Sequence, residues 1–299
     1  MNIHKIAAID IGSNSVRLLV ANVLERGTTV IFKKSSLTRL PIRLGEDSFG
    51  RQAISEERTA LLETGMEAYQ KIMAVHGVSH YRACATSALR EARNGPAVVE
   101  RIRQNTGVGI ELIDGQEEAR LIFQGDFLDN LKGLAENFLY IDVGGGSTEL
   151  TLFEGQKPRA SRSFPIGTIR LLQDQVKPAQ WQEMTDWIQE HTAPLREVMM
   201  VGSGGNINRT FKLSEKKKGQ PISLAELLAI KAELEDYDRE ERMIRFDLNP
   251  DRSDVITHAL AIYTRATEWA GADQMIVPKK GLADGMVRDL YGRYLGDGG

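Results

Sequence analysis

The hydrophobic positions of the first forty residues follow the pattern of β-strands. Residues 6–10 are short and apolar, residues 15–23 are rich in β-branched side chains, and residues 28–33 continue the pattern. Turn-forming residues separate these stretches, at residues 12–14 and 26–27. The pattern therefore predicts a meander that begins with a polar hairpin.

Downstream, helical and strand-like stretches alternate. In chain order the prediction is a helix over residues 55–73, a strand over 81–85, helices from 87 and over 98–104, a strand over 109–113 and a helix from 115. Asp114 is placed to cap the last of these helices. This alternation predicts an α/β chain.

The opening pattern returns in the middle of the chain. Residues 138–153 again give an apolar strand, a glycine-rich turn and a second strand. Asp10 then aligns with Asp142 and Ser15 with Ser147, at an offset of 132 residues. A repeat this long predicts two domains of related plan rather than a solenoid.

Both hairpin turns have the chemistry of an anion-binding loop. Glycine lets backbone N–H groups approach a ligand closely, and serine and asparagine add side-chain donors. The candidate phosphate-binding residues at the turns are Gly12, Ser13, Asn14, Ser15, Gly144, Gly145, Gly146 and Ser147. The carboxylates of Asp10, Asp142 and Glu149 are available to bind Mg²⁺ directly or through water. Each turn alone also fits a tight hairpin with a capping aspartate, and the matched pair favours the ligand site.

Two strand–loop–helix junctions offer further anion donors. Thr86 follows a strand and opens a helix, a setting in which α/β folds bind anions, and Arg90 is placed to clamp a phosphate there. Gly204 and Gly205 lie in a similar junction, before a helix predicted from Ile207. A surface arginine and a generic βα loop are the plainer alternatives.

Two glutamates near the start of the helix at residue 115 are candidates for a general base. Acidic residues in a first turn usually complement the helix dipole. Water that attacks a phosphoryl group, however, needs a carboxylate to orient it and to take its proton. Glu117 and Glu118 are therefore both candidates.

Composition narrows the functional classes for this chain of 299 residues. A formal net charge of −3 means that the overall field does not gather a nucleic-acid polymer, so a phosphate-rich partner must meet a local site. The single cysteine, Cys84, excludes an internal disulfide framework and fits a reducing compartment, which predicts a cytoplasmic protein. No segment approaches the roughly 20 apolar residues of a membrane span, so we expect no membrane partner.

Five blocks of the chain together resemble the exopolyphosphatase and guanosine pentaphosphate phosphohydrolase family of the actin, sugar kinase and heat-shock ATPase superfamily. The blocks, which follow the family's order and span nearly the whole chain, are residues 7–18, 85–90, 113–121, 141–149 and 201–206. The resemblance implies two ribonuclease-H-like, actin-like ATPase domains around a central cleft. We expect residues 1–123, joined by a last helix at 283–299, to form the first domain and residues 124–282 the second. We also expect a short form, without the C-terminal helical domains of longer members.

The same resemblance implies Mg²⁺-dependent removal of a terminal phosphate, and the leading hypothesis is an exopolyphosphatase, which releases orthophosphate from the end of inorganic polyphosphate. It makes Glu118 the base, with Glu117 as the fallback, and Arg90 a phosphate-binding arginine. It makes Asp142 and Glu149 the metal-associated carboxylates. It also puts Asp10 and residues of both turns and the Gly204 junction on phosphate-facing loops.

Three other functions stay open at this point. The nearest is the same chemistry on guanosine pentaphosphate, converting it to the tetraphosphate. A phosphotransferase with the same two hairpins around ATP is the second, and a non-catalytic sensor of polyphosphate or nucleotide is the third. A homodimer is the expected assembly only because it is the commonest one.

Overall fold

A computed structural model describes residues 1–123, 135–155 and 157–294 of the chain. Within these ranges, no helix combines the length and the apolar character that a membrane span needs. Among the described residues, three consecutive strands occur twice, within Asn2–Leu40 and within Asn137–Phe164, and the remaining strands are separated by one or more helices.

The chain divides into two compact units. The first takes in Met1–Phe127 together with Gly281–Gly299, and the second takes in Leu128–Lys280. The domain boundary predicted after residue 123 falls at the edge of residues 124–134, which lie outside the described part of the chain. The predicted domain limits therefore stay a prediction.

The first unit contains a mixed sheet with the strand order β3-β2-β1-β4-β5. Its strands are β1 (Asn2–Ile11), β2 (Val16–Arg26), β3 (Thr29–Leu40), β4 (His80–Ala85) and β5 (Glu111–Leu112). Its helices are α1 (Leu44–Arg51), α2 (Glu56–His76), α3 (Ser87–Glu91), α4 (Gly95–Thr106), α5 (Gly115–Ile122) and α13 (Leu282–Tyr294). The first three strands pair antiparallel as the predicted meander, whereas β4 pairs parallel with β1 and with β5.

The second unit contains a sheet with the order β10-β11-β9-β6-β7-β8. Its strands are β6 (Asn137–Val143), β7 (Thr148–Glu154), β8 (Lys157–Phe164), β9 (Met199–Ser203), β10 (Ile222–Ser223) and β11 (Gln274–Ile276). Its helices are α6 (Thr168–Leu172), α7 (Pro178–Thr192), α8 (Gly205–Leu213), α9 (Leu224–Glu235), α10 (Arg239–Arg245), α11 (Pro250–Ser253) and α12 (Ile256–Trp269).

The two sheets share one topology. In both, an antiparallel hairpin and a third strand are followed by two strands that run parallel to the first. The short β10 adds an antiparallel edge in the second unit. This common plan explains the repeat in the sequence and is the ribonuclease-H-like arrangement that was predicted. The predicted α/β class is confirmed, while the central cleft stays a prediction.

In each unit a buried strand places the candidate aspartate at its carboxyl end. In β1 the run from Ile6 to Ile9 is fully buried, as expected for a strand at the centre of a sheet, and Asp10 follows it directly. In β6 the run from Phe138 to Ile141 is also buried and leads into Asp142. The apolar strand thus holds a carboxylate at its carboxyl end in each unit.

Strand β8 and helix α1 are among the elements that the sequence analysis did not predict, because they lack a clear hydrophobic pattern. Strand β8 is largely exposed, with Phe164 as its only fully buried side chain among the described residues, so no alternation marks it. Helix α1 has eight residues, and left-handed backbone conformations at Arg43 and Gln52 flank it. Pairing with β7 therefore positions β8, and packing within the first unit positions α1. Neither element is marked by its own sequence.

Candidate active site

Asp10 is neutralised by an arginine within its own hairpin. The two residues are direct cross-strand partners, and Arg17 Nη1 lies 3.1 Å from Asp10 Oδ2. Burial raises the pKa of Asp10, and the charge and hydrogen bond of Arg17 oppose that rise. Asp10 therefore has a built-in counter-ion.

The turn after Asp10 is a closed hairpin that rests on α1. Gly12 N donates to Ser15 O over 3.1 Å, and a Cβ on Gly12 would lie 3.3 Å from that oxygen. Backbone N–H groups at the start of α1 donate to the carbonyls of Ser13 and Asn14, at 2.8 and 3.2 Å. The carbonyl oxygens of Ser13 and Asn14 are thus bound within the protein, which orients the turn.

The junction between β4 and α3 lies beside this turn. Thr86 N donates to Ile11 O over 3.1 Å, and Ser87 Oγ lies 3.0 Å from Ser13 Oγ. Arg90, one turn into α3, donates from Nη1 to Ile113 O over 2.7 Å. The structure therefore brings the first turn, Thr86 and Arg90 to the carboxyl ends of neighbouring strands.

The two candidate bases have different surroundings on α5. Asp114 caps the helix by accepting from Glu117 N at 2.8 Å, and its carbonyl accepts from Glu118 N at 3.0 Å. The carboxylate of Glu117 accepts hydrogen bonds from Arg120 at 2.6 Å and from Arg82 at 3.1 Å. The half-buried Glu118 follows Glu117 on the same capped turn.

The arginines should make Glu117 contribute to stability in a pH-dependent way. Hydrogen bonds from Arg120 and then Arg82 hold the pKa of Glu117 at about 2, below its ordinary value of 4.5. Since the folded-state pKa is lowered, this contribution is fully present above the unfolded-state pKa and is lost as the pH falls towards 2. We expect urea unfolding of Glu117→Gln and of the unsubstituted protein to differ by a constant free energy at neutral pH.

That difference should shrink steadily between pH 4.5 and about pH 2. Glu111→Gln is the matched control, because Glu111 also binds Arg82 but is mostly exposed. A free-energy difference for Glu117→Gln that stays constant down to the lowest pH would contradict the pairing.

In the second unit, two carboxylates stand side by side at the equivalent place. Asp142 and Glu149 are direct cross-strand partners in β6 and β7, so both side chains lie on one face of the sheet. Tyr140 donates its hydroxyl to Asp142 Oδ2 over 3.1 Å. Ser147 and Ser163 both donate to Glu149 Oε1, at 2.6 and 3.0 Å. Neutral hydroxyls therefore hold both carboxylates.

The two hairpins differ in charge at one register position. Arg17 faces Asp10 in the first unit, and Glu149 faces Asp142 in the second. These partners are also equivalent in the repeat, 132 residues apart. The second hairpin is thus the one whose charge suits a cation.

The turn after Asp142 is fixed by the start of α6. Gly144 N donates to Ser147 O over 2.9 Å, as in the first hairpin. The carbonyls of Gly144 and Gly145 accept backbone N–H groups of α6 at 3.0 and 2.8 Å, and Gly146 O accepts Nε of Arg170 at 2.7 Å. These carbonyl oxygens therefore all accept hydrogen bonds from α6.

Gly167 should be indispensable for this arrangement. A Cβ added there would lie 2.4 Å from Gly145 O and 2.5 Å from the carbonyl carbon of Gly146, so the turn would have to move. We expect Gly167→Ala to lower the free energy of unfolding by about 1–3 kcal/mol. Urea unfolding measures this, with Gly109→Ala as the control because a Cβ at Gly109 meets nothing within 4 Å. Equal stability of the two variants would refute the close contact.

The third glycine junction lies against the second hairpin. Gly204 caps α8 with a φ of 115°, and a Cβ there would lie 3.1 Å from the Tyr263 hydroxyl and 3.2 Å from Asp142 Oδ1. Helix α8 begins at Gly205, not at Ile207 as predicted, because Gly204 already accepts the first helical hydrogen bond, from Asn208 N. The structure thus places Gly204 next to Asp142.

Several residues that shape the site were missed by the sequence analysis. Tyr263 donates its hydroxyl to Ser203 O and accepts from Val143 N at 3.4 Å, which joins β9 to β6. Tyr140 and Ser163 hold the two carboxylates. Buried tyrosines in a strand and a helix look like ordinary core residues, so no local pattern could have marked them.

The candidate residues thus form one group in each unit. The first group contains Asp10, Gly12, Ser13, Asn14, Ser15, Thr86, Arg90, Glu117 and Glu118. The second group contains Asp142, Gly144, Gly145, Gly146, Ser147, Glu149, Gly204 and Gly205. In the part of the chain that the structure describes, no three His, Cys, Asp or Glu side chains gather as a metal site. The roles of these residues stay predictions.

Comparison with known proteins identifies the family and supports the predicted fold. The sequence model of the Ppx/GppA phosphatase family matches residues 19–293. Exopolyphosphatase 2 of Mycobacterium tuberculosis (strain ATCC 25618 / H37Rv) is 30% identical, over 98% of this chain and 100% of its own length. A guanosine-5'-triphosphate,3'-diphosphate pyrophosphatase of Aliivibrio fischeri (strain MJ11) is 28% identical, over 95% of this chain and 59% of its own length.

Solved structures show the same fold. An exopolyphosphatase from Cytophaga hutchinsonii superposes with a TM-score of 0.82 at 21% identity, over 94% of this chain and 96% of the other. The PPX-GPPA enzyme of Aquifex aeolicus gives 0.74 at 25% identity, over 96% and 100%. The predicted fold class and the predicted class of hydrolase are confirmed. From its blocks, its two matching sheets and these relatives, the chain belongs to the Ppx/GppA phosphatase family.

Proposed function

We propose that the chain is an exopolyphosphatase, which hydrolyses the terminal phosphoanhydride bond of inorganic polyphosphate and releases orthophosphate. The observation that carries the proposal is the match to exopolyphosphatase 2 over nearly the full length of both chains. The pyrophosphatase that acts on guanosine pentaphosphate matches over only 59% of its length. The plain polymer is therefore the first candidate substrate.

We assign the activation of water to Glu118. Glu117 is engaged by Arg82 and Arg120, which hold its pKa at about 2, so it is too weak a base to take a proton from water at neutral pH. Glu118 follows it on the same turn, and Asp114 caps that turn. Glu118 orients the water for in-line attack on the terminal phosphorus and takes its proton.

We assign Mg²⁺ to Asp142 and Glu149. Oxygen donors suit this ion, and among the described residues Asp142 and Glu149 offer two adjacent carboxylates. A pair is enough, since Mg²⁺ usually keeps several waters and bonds to substrate phosphates. When bound, the ion neutralises charge on phosphate oxygens. Asp10 was also a predicted ligand, but its bond to Arg17 supports a role in holding that arginine instead.

We assign the phosphates of the substrate to the glycine-rich loops. Closed hairpins orient the backbone of Gly12–Ser15 and Gly144–Ser147, because their carbonyls are bound by α1 and α6. Further hydrogen-bond donors to phosphate come from two helix starts, Thr86 at α3 and Gly204 and Gly205 at α8. Arg90 contributes positive charge beside the loop that leads to Glu118.

Hydrolysis of guanosine pentaphosphate is the second candidate, favoured by the relative from Aliivibrio fischeri. The test is orthophosphate release by the purified protein with Mg²⁺, given short polyphosphate, long polyphosphate or guanosine pentaphosphate in parallel. The proposal expects the highest kcat/KM with polyphosphate. A higher value with the nucleotide would contradict polyphosphate as the preferred substrate, and no release from any of them would contradict hydrolysis itself.

We also propose that the protein works in the cytoplasm, since its single cysteine, Cys84, is buried and leaves no internal disulfide. Its partner on this account is a phosphate polymer or a phosphorylated nucleotide rather than a nucleic acid. The homodimer stays a prediction.

A further inference from the structure

A cluster of charged side chains joins four elements of the first unit. We call it the arginine–carboxylate cluster, and its members are Arg82, Glu111, Glu117, Arg120, Asp289 and Arg293. Three arginines balance three carboxylates, so the cluster carries no net charge when all are ionised. At its centre, the side chains of Arg82 and Asp289 are only 5% and 3% exposed.

Arg82 binds carboxylates from three directions. Its Nη1 donates to Asp289 Oδ2 over 2.8 Å, and its Nη2 donates to Glu111 Oε2 and Glu117 Oε1 over 2.7 and 3.1 Å. Arg120 then donates from Nη2 to Asp289 Oδ1 over 3.0 Å. Asp289 on α13 is thus bound both to the sheet and to α5, the helix of the candidate base.

The backbones of α13 and α5 also touch. A Cβ added to Gly285 would lie 1.8 Å from Leu121 O and 2.5 Å from the Leu121 carbonyl carbon. Only glycine allows this approach, and Asp289 lies one helical turn further along α13. Helix α13 therefore holds α5 at two points, one by packing and one by charge.

We propose that Asp289 and Arg82 are positioning residues for Glu118, acting through Glu117 and α5. This inference rests on the proposed function, because it assumes that Glu118 orients the attacking water. Helix α5 is short, with eight residues, so its own backbone bonds give it little rigidity. Its first turn is instead fixed by the Asp114 cap and by the ion pair between Arg82 and Glu117.

Removing one carboxylate from the cluster should weaken the ion pair that holds Glu117 in place. Asp289→Asn leaves the buried Arg82 and the partly exposed Arg120 short of one negative charge, which favours a rearrangement of both side chains. A rearrangement of these arginines would displace Glu117. Because Glu118 is the next residue in the chain, its carboxylate would be displaced as well. A displacement of about an ångström can cost up to ~10²-fold in rate, and we expect a fall in kcat of about tenfold with little change in KM.

The test compares Asp289→Asn in two backgrounds, the unsubstituted protein and Glu118→Ala, by steady-state release of orthophosphate from polyphosphate. If Asp289 acts through Glu118, kcat falls about tenfold in the first background and does not fall in the second. Arg101→Gln is the matched control, because Arg101 joins α4 to Glu56 and Glu63 of α2 outside the cluster. It should leave kcat unchanged.

Arg120→Gln is a second variant in case Asp289→Asn does not fold. Arg120 is 44% exposed and bonds both Glu117 and Asp289, so its loss should be tolerated and should lower kcat in the same Glu118-dependent way. An equal fall in both backgrounds, or none in either, would overturn the positioning role. Full activity of Glu118→Ala alone would instead overturn the assignment of Glu118 as the base, and the positioning role with it, while no release of orthophosphate by the unsubstituted protein would overturn the proposed function.

Discussion

Glu118→Gln should lower the rate of orthophosphate release by about 10²–10⁴-fold, which is the usual contribution of a general base. Glutamine keeps the size and polarity of the side chain but does not take a proton from water. Because the substitution leaves the glycine-rich loops and Arg90 in place, the affinity for polyphosphate should change little. Single-turnover kinetics and equilibrium binding of polyphosphate separate these two effects.

Glu117→Gln is the matched control for this experiment, since the two glutamates are neighbours on one capped turn. Glu117 is bound by Arg82 and Arg120, so its substitution should act on position and stability, with a fall in rate of about tenfold or less. If Glu117→Gln lost as much rate as Glu118→Gln, or if Glu118→Gln reacted at the normal rate, the assignment of the base would be wrong.

Glu149→Gln should raise the Mg²⁺ concentration needed for half-maximal activity. Loss of one of two carboxylate ligands weakens the site at least as much as loss of a residue that only orients a ligand, which typically costs about 10–100-fold in metal affinity. Ser163→Ala removes one such orienting hydrogen bond, to Glu149 Oε1, and should give a smaller shift in the same direction. Titration of activity with Mg²⁺, and calorimetric titration of the protein with Mg²⁺ alone, measure both.

Asp10→Asn is the control for the metal site, because Asp10 holds the equivalent position in the other hairpin. Its bond to Arg17 predicts that the Mg²⁺ requirement stays the same, whatever happens to the rate. A large shift for Asp10→Asn with none for Glu149→Gln would move the cation to the first hairpin and contradict our assignment.

The sequence predicts much of the fold because the repeat is local and strongly patterned. A buried apolar run that ends in aspartate, a glycine-rich turn and a second strand are each visible within about fifteen residues, and the structure has them at both places. Strand β8 escaped because its exposed, polar residues are placed by pairing with β7 rather than by their own pattern.

For the candidate site, the residue types were predictable and their charge environments were not. Arg17 and Glu149 occupy equivalent positions of the repeat, so their difference in charge is visible in the sequence. Only the strand register shows that each lies opposite an aspartate. The partners of Glu117 are harder still, since Asp289 enters the cluster from a helix far along the chain. Such long-range pairs leave no local signal.

In an exopolyphosphatase reaction, water attacks the terminal phosphorus of polyphosphate. The most direct test is to run the reaction with Mg²⁺ in water enriched in oxygen-18 and to measure the isotope in the products by mass spectrometry. Our account predicts one oxygen-18 atom in each orthophosphate released and none in the shortened polymer, with release slowed strongly in Glu118→Gln. Label in the polymer end, or orthophosphate released without label, would contradict it.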